Sequence, residues 1–165
     1  MLSQQVICEM FNYDPATGLL TWRAPASNRA AIGGEAGWFQ KPGYRYVGIA
    51  GKKFLVHRVI WLYVTGKWPA AQIDHRDTNR INNRWNNLRE ATHSQNEMNK
   101  GMRGGLRRNK AGVKGVYYDA RRNKWAAEIR AAGVRHHLGR FPTKAAAAMA
   151  HKKAAQELHG LYARH

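Results

Sequence analysis

Ile73-Asp74-His75, followed by Asn82, Asn83, Asn86 and Asn87-Leu88-Arg89 and then by Thr92-His93-Ser94-Gln95-Asn96, is the stretch that decides how this chain is read. Residues 72–75 and 87–91 have the composition of two short strands, and the polar residues between them read as a hairpin loop. Thr92 with Gln95 three positions later is a capping-box pattern that starts a helix at His93. An acid beside a histidine, an Asn-rich loop and a further Asn one turn into a capped helix imply a metal-dependent site for phosphodiester chemistry.

That chemistry needs an activated water, neutralised charge at the phosphate and help for the departing oxygen. One hard divalent ion on oxygen ligands can supply the last two. Asp74 offers a carboxylate and Asn96 an amide carbonyl, which leaves positions for water and phosphate. So few protein ligands suit Mg²⁺, with Mn²⁺ as the alternative ion. His75 titrates near neutrality and adjoins the ligand, so it is the candidate general base. Neighbours in a strand point to opposite faces, so the pair needs a strand end or a twist at 74–75. Arg76, Arg80 and Arg84 would meet a phosphate backbone. Asn82, Asn83 and Asn86 are read as satisfying loop backbone, His57 as packing near the core, and His93 as a surface histidine.

The charge of the chain agrees with a polyanionic partner. Among 165 residues, 28 Lys and Arg oppose 10 Asp and Glu, a net +18. Residues 1–100 hold 13 basic and 7 acidic side chains, and residues 101–165 hold 15 and 3. The basic residues are interleaved with Tyr, Trp and Gly rather than gathered in a low-complexity tail, as a folded nucleic-acid face requires. The single cysteine, Cys8, excludes a disulfide framework and a CxxC zinc knuckle, and reads as a small buried residue. No apolar run approaches the ~20 residues of a membrane span. The first ten residues lack a signal peptide's charged start, so the expectation is a cytoplasmic protein with no membrane partner.

Three blocks follow along the chain. In residues 10–68, turn signals such as Asp14-Pro15-Ala16-Thr17-Gly18 separate strand-like runs at 19–22 and 44–49, and 54–63 reads as a helix ended near Gly66 and Pro69. The middle block, 72–100, is too short for its own core. Residues 101–110 read as a flexible basic linker. The third block alternates: strands at 113–118, 125–130 and 134–139, then a Thr143-capped, Ala-rich helix over 144–158 that stops at Gly160. A three-stranded antiparallel sheet backed by one helix is the simplest assembly, and the chain as a whole is α+β. Trp125, Ala127 and Ile129 are assigned to the helix side. Glu128, Arg130, Arg135 and His137 fall on the other face, which also offers Tyr117.

The middle block resembles the HNH endonuclease family and its ββα-metal fold, on Asp74-His75, Asn87-Leu88-Arg89 and Asn96. The resemblance implies His75 as general base, Asp74 and Asn96 as metal ligands, and Asn87 as the residue that holds the hairpin and orients His75. Asn at the third motif position is the variant of phage and intron-encoded homing enzymes. Their leader is similar to Tyr13-Asp14-Pro15-Ala16-Thr17-Gly18, Val56-His57-Arg58 and the run from Trp61 to Pro69, so the likeness spans about 11–100.

The third block resembles the ethylene-response-factor (APETALA-two) DNA-binding domain, most closely in Trp125-Ala126-Ala127-Glu128-Ile129-Arg130. The family lays its sheet in the major groove, and the matching contact positions are Lys114, Glu128, Arg130 and Arg135. Tyr117, Asp119 and His137 stand where plant members carry Arg, Arg and Trp, so the plant recognition sequence does not transfer. Together the resemblances imply an HNH domain over 1–100, a linker and a DNA-binding domain over 111–165, acting as a monomer that nicks double-stranded DNA. The rival is a non-catalytic DNA-binding regulator that keeps the HNH block as scaffold. An RNA-binding protein is disfavoured, because the sheet lacks an aromatic pair for base stacking.

Overall fold

The computed structural model describes residues 2–24, 31–41, 43–99 and 111–163. The expected linker, 101–110, lies outside the described residues. The chain divides into two compact units, Met1–Thr92 and His93–His165. Among the described residues no helix is long and apolar enough to cross a membrane.

The first unit begins with α1 (Gln4–Met10), whose N-cap Ser3 accepts a bond from Val6 N. A short antiparallel pair follows, β1 (Phe11–Tyr13) with β2 (Leu20–Trp22), joined by the expected 14–18 turn. Asp14 closes that turn by accepting from Ala16 N at 2.9 Å and from Thr17 Oγ1 at 2.7 Å. β3 (Trp38–Gln40), β4 (Tyr44–Ile49) and β5 (Lys52–Leu55) form an antiparallel meander. It leads straight into α2 (Val56–Thr65), which buries Val56, His57, Val59, Ile60 and Leu62 at helical spacing and stops at Gly66 in the left-handed region. Phe54 and Leu55, the first expected in the helix, instead pair with Val47 and Tyr46 as strand. Phe11, Ile7, Leu20, Ile49, Val47, Ile73 and Leu88 join the α2 residues in one apolar core.

β6 (Gln72–His75) and β7 (Leu88–Ala91) pair antiparallel on that core, with Asp74 opposite Arg89 and His75 opposite Leu88. Arg58 ties the segment before β6 to α2, donating to the carbonyls of Ala71 (3.1 Å) and Pro69 (3.2 Å). A 3-10 turn, Trp85–Asn87, ends the loop, and the Trp85 ring packs at 5.1 Å on Trp61 of α2.

The second unit holds α3 (His93–Asn99), then β8 (Val116–Asp119), β9 (Lys124–Ala131), β10 (Val134–Phe141) and α4 (Lys144–His159). The sheet order is β10-β9-β8, all antiparallel, as the alternation implied. α4 starts where expected: Thr143 Oγ1 accepts from Ala146 N at 3.2 Å. Its buried face is Ala147, His151, Ala154 and Ala155, so small side chains let the helix lie close on the sheet. Gly115 shows how close, since a Cβ there would meet Glu128 O at 2.2 Å and the His151 ring at 2.5 Å. That crowding, with Gly115 at φ +69, delays β8 to Val116 rather than the expected 113.

The 14–18 turn seats on the hairpin loop. Trp85 N donates to Pro15 O (3.2 Å), and Arg84 Nε to Ala16 O (2.8 Å). Gly18 has φ +80, and a Cβ there would sit 2.5 Å from Arg84 N and 2.6 Å from Asn83 C. Gly18→Ala is therefore expected to lower unfolding stability by at least ~1 kcal/mol through left-handed strain alone, with the backbone clash added. A urea titration of the full chain against the parent measures it.

Candidate active site and nucleic-acid interface

His75 is the last residue of β6, so the expected geometry at 74–75 is met by a strand end. By strand alternation His75 shares the core-facing side with Ile73, while Asp74 points the other way, toward Arg89 directly across the ladder. Arg89 Nε and Nη2 reach the same carboxylate oxygen, Asp74 Oδ2, at 2.9 and 2.7 Å. The pair is buried, Asp74 at 5% exposure and Arg89 at 8%.

The His75 ring lies among polar and aromatic groups. Its Nε2 is 3.1 Å from Asn83 Oδ1. The His57 ring meets it edge-on at 5.1 Å, Tyr44 lies 6.3 Å away, and the Arg80 guanidinium covers the Tyr44 ring at 4.9 Å. Burial pushes His75 below the ordinary imidazole value, and the bond to Asn83 with the nearby Asp77 and Asp74 charges opposes this without overcoming it. The ring is thus neutral at physiological pH, the form a general base requires. His57 is depressed further, to about 3, by burial first and then by His75 and Arg58. It packs against Tyr44 and His75, in line with the reading of a core-adjacent histidine.

The Asn-rich loop is organised by Asn87. Its Oδ1 accepts from Asp77 N (3.0 Å), and its Nδ2 donates to Asp77 Oδ1 (2.9 Å) and Asn82 O (2.7 Å). Asn82 Nδ2 donates to Asp77 Oδ2 at 2.6 Å. Burial pushes the Asp77 carboxyl up, but these bonds, with Asn79 N, outweigh it and hold Asp77 below the usual carboxylate range. Asn82 thus does satisfy the loop, whereas Asn83 faces the histidine. Its part could be suspected only from loop length, because nothing in the sequence separates it from Asn82 or Asn86.

Of the loop arginines, Arg76 is exposed, Arg80 half-buried over Tyr44, and Arg84 exposed but bonded to Ala16. Asn96 lies, half-buried, on α3 in the second unit. His93 is exposed, as its position at a helix start implied. Among the described residues no three His, Cys, Asp or Glu side chains group as metal ligands. The expected donors, one carboxylate and one amide, are hard oxygens of the kind a divalent ion of the Mg²⁺ type prefers.

On the second unit's sheet, register places Tyr117 beside Ala126, Glu128 opposite His137, and Arg130 opposite Arg135. Directly paired residues share a face, so the sheet presents the five expected side chains, Tyr117, Glu128, Arg130, Arg135 and His137, together. Two like charges facing each other across a ladder are destabilising unless an anion or an acid intervenes. Glu128 comes within 3.9 Å of Arg135 and only partly answers them. A bulge between His137 and Gly139 lets Leu138 pack on the α4 side and returns Arg140 to the ladder opposite Ala126. Lys114 precedes β8, and its Nζ donates to Met98 O of α3 at 2.9 Å.

Residues 54–98 match the family model described as HNH endonuclease, and residues 111–161 match the AP2 domain model. An uncharacterized HNH endonuclease of Acanthamoeba polyphaga mimivirus is 36% identical over 113 residues, which are 67% of this chain and 56% of the relative. The chain thus spans little more than half of that protein's length. The solved structure of the HNH homing endonuclease I-HmuI, titled for DNA binding and cleavage, aligns over 94% of this chain and 87% of its own. The two chains are 20% identical, with a TM-score of 0.42.

Arg89→Leu removes the ion-pair partner of a buried carboxylate and is expected to cost about 3–5 kcal/mol in urea unfolding. The depressed His57 gives a pH dependence of known sign. The unfolded chain takes up its proton near the ordinary value of 6.5, before the folded one does, so stability is full above that pH and lost as pH falls toward 3. The drop in thermal midpoint between about pH 7 and pH 4 should be smaller in His57→Asn than in the parent.

Proposed function

We propose that this chain is a metal-dependent DNA endonuclease of the homing type. Its HNH part (1–100) cleaves, and its AP2-type part (111–165), joined through 101–110, binds duplex DNA. The observation that carries the reading is the buried, neutral His75 at a strand end beside Asp74, with its Nε2 directed at Asn83 Oδ1. A neutral imidazole can take a proton from water.

Asp74 and Asn96 would hold the divalent ion, Mg²⁺ in preference and Mn²⁺ in its place. When bound, such an ion neutralises charge on the phosphate and eases departure of the 3′ oxygen. His75 removes a proton from the attacking water. Asn87 keeps the loop closed so that the ring does not swing, and Arg89 holds the Asp74 carboxylate in the pair that already compensates its burial. In-line attack predicts 5′-phosphate and 3′-hydroxyl ends. One site per chain predicts nicking by a monomer. Arg76, Arg80 and Arg84 at the loop, and Tyr117, Glu128, Arg130, Arg135 and His137 on the sheet, with Lys114 beside it, form the DNA contacts. Action on DNA in the cytoplasm belongs to the same reading.

Relaxation of supercoiled plasmid is the test, with Mg²⁺, with EDTA and with His75→Ala. Open-circular product that requires both the ion and His75 is expected, while binding by His75→Ala stays at the parent level. Tight binding without cleavage in Mg²⁺ or Mn²⁺ would favour the regulator instead. Binding should weaken steeply with salt, and Arg130→Ala should reduce the slope of log K against log salt by about 0.9.

A further inference from the structure

We propose that Arg140 reads a guanine edge in the bound duplex, and that Asp119, from the opposite edge of the sheet, is the positioning residue that aims its guanidinium. The inference rests on the DNA-binding role given to the second unit and deepens it.

β10 and β8 are not neighbours, since β9 runs between them. Two strand spacings amount to about 10 Å, so an ion pair from one to the other must cross the central strand. Arg140 makes that crossing: its Nε donates to Asp119 Oδ2 at 3.2 Å. The register shows the path. Ala126 of β9 pairs with Arg140 on one side and with Tyr117 on the other, and Asp119 pairs with Lys124 one step further along that face. Ala127 and Ile129 pack toward α4, so alternation puts Ala126, Asp119 and Arg140 on the face away from the helix. Ala126 is fully buried although no helix covers that face, as a methyl group beneath a crossing side chain should be. A longer side chain at 126 would stand in the way.

The carboxylate occupies only one part of the guanidinium fork. Among the described residues Arg140 Nη1 and Nη2 make no hydrogen bond. These terminal donors match the O6 and N7 acceptors that guanine presents in the major groove. With Nε held, the plane of the fork is set before DNA arrives, and less side-chain freedom is lost on binding. The Asp119 side chain is 15% exposed and that of Arg140 38%, so a groove meets the guanidinium ahead of the acid. Arg122 Nη1 also reaches Asp119 Oδ2, at 3.3 Å, but it stands in the turn before β9 and its side chain is 58% exposed. Arg140 is anchored in the ladder and is the one that is aimed. Arg130 lies four residues along β9 from Ala126, about 14 Å away, so Arg140 is a separate point of readout. An exposed ion pair contributes little to stability, which makes bracing the sheet a weak reason for this one.

The full chain, in EDTA and at fixed salt, first selects duplexes from a random pool, and affinities are then measured on the preferred duplex and its single-base changes. The expected result is a guanine whose replacement weakens parent binding about 10-fold or more and leaves Arg140→Ala indifferent. Placing 7-deazaguanine there, which lacks the N7 acceptor, should weaken the parent and not Arg140→Ala. Arg140→Lys should not restore the preference, because an ammonium is a point charge and not a fork. Asp119→Ala should lose preference while binding random duplex at least as tightly as the parent. Asp119→Asn, which keeps an acceptor for Nε, should retain more of it. A brace or a phosphate contact would instead lower affinity uniformly across sequences. Uniform loss in Arg140→Ala, indifference of the parent to 7-deazaguanine, or a preference lost in Arg122→Ala but kept in Arg140→Ala overturns the proposal. Full preference in Asp119→Ala sinks its positioning role. A parent that binds no duplex DNA sinks the reading of the second unit and this inference with it. The assay needs no turnover, so a failure to nick plasmid strikes the nuclease reading alone.

Discussion

One buried amide closes the loop on which the rest of the site depends. Residues 76–87 have no ladder of their own, and an unclosed loop of that length would leave many polar groups to water and cost conformational entropy to order. Asn87 answers with both ends of its side chain and with its carbonyl, which accepts from Arg76 N at 2.9 Å. Each of these bonds adds only ~1 kcal/mol net, but losing a buried partner costs ~1–3 kcal/mol. The loop is therefore held less by the strength of its bonds than by the cost of breaking any one of them. Leader, hairpin and α2 all meet it: Pro15 and Ala16 from one side, Trp61 through Trp85 from another.

The same unit places chemistry where a small protein normally stores apolar side chains. His57, Asp74, His75, Asn83, Asn87 and Arg89 are all buried beside a core of Ile, Val, Leu and Phe. Each is compensated differently. Burial favours the neutral form of both histidines, and Asp74 is met by the Arg89 guanidinium at 2.7 Å. A buried ion pair gains little over a hydrophobic pair of the same volume, so stability is a poor reason for it. In the proposed nuclease, a carboxylate held beside the base would be a better one, because active sites are where perturbed titration and burial coincide.

Much of the fold was legible in the chain, and the failures have identifiable causes. β9, β10 and α4 follow their periodicity because alternation and helical spacing persist long enough to outweigh local noise. The helix at 54–63 starts two residues late because Phe54 and Leu55 find strand partners that lie outside any local window. α1, β1 and β3 carry no clear signal: each is seven residues or fewer, and β3 is exposed along its whole length, so no apolar rhythm marks it. In the site, Asp74, His75 and Asn87 stand out by residue type. Which asparagine meets the histidine depends on how the loop folds back, and nothing in the sequence separates Asn83 from Asn82 or Asn86. The Asp74–Arg89 pair was readable in principle, since hairpin register alone sets them opposite each other.

The second unit applies the opposite electrostatic logic. The first unit neutralises its buried charges within itself, whereas the AP2-type sheet leaves Arg130 facing Arg135 with a single glutamate at 3.9 Å from one of them. Repulsion of that kind is a standing cost in the free protein, and a line of phosphates relieves it. In the proposed nuclease, the binding energy would include strain released as well as contacts made. Base readout there would fall to the polar members of this face, the arginines included, because a guanidinium can pair with a guanine edge as well as attract phosphate. An Ala-rich helix backs the sheet and supplies little side-chain bulk, so the register of that face is set by its own ladder and by one bulge at Leu138.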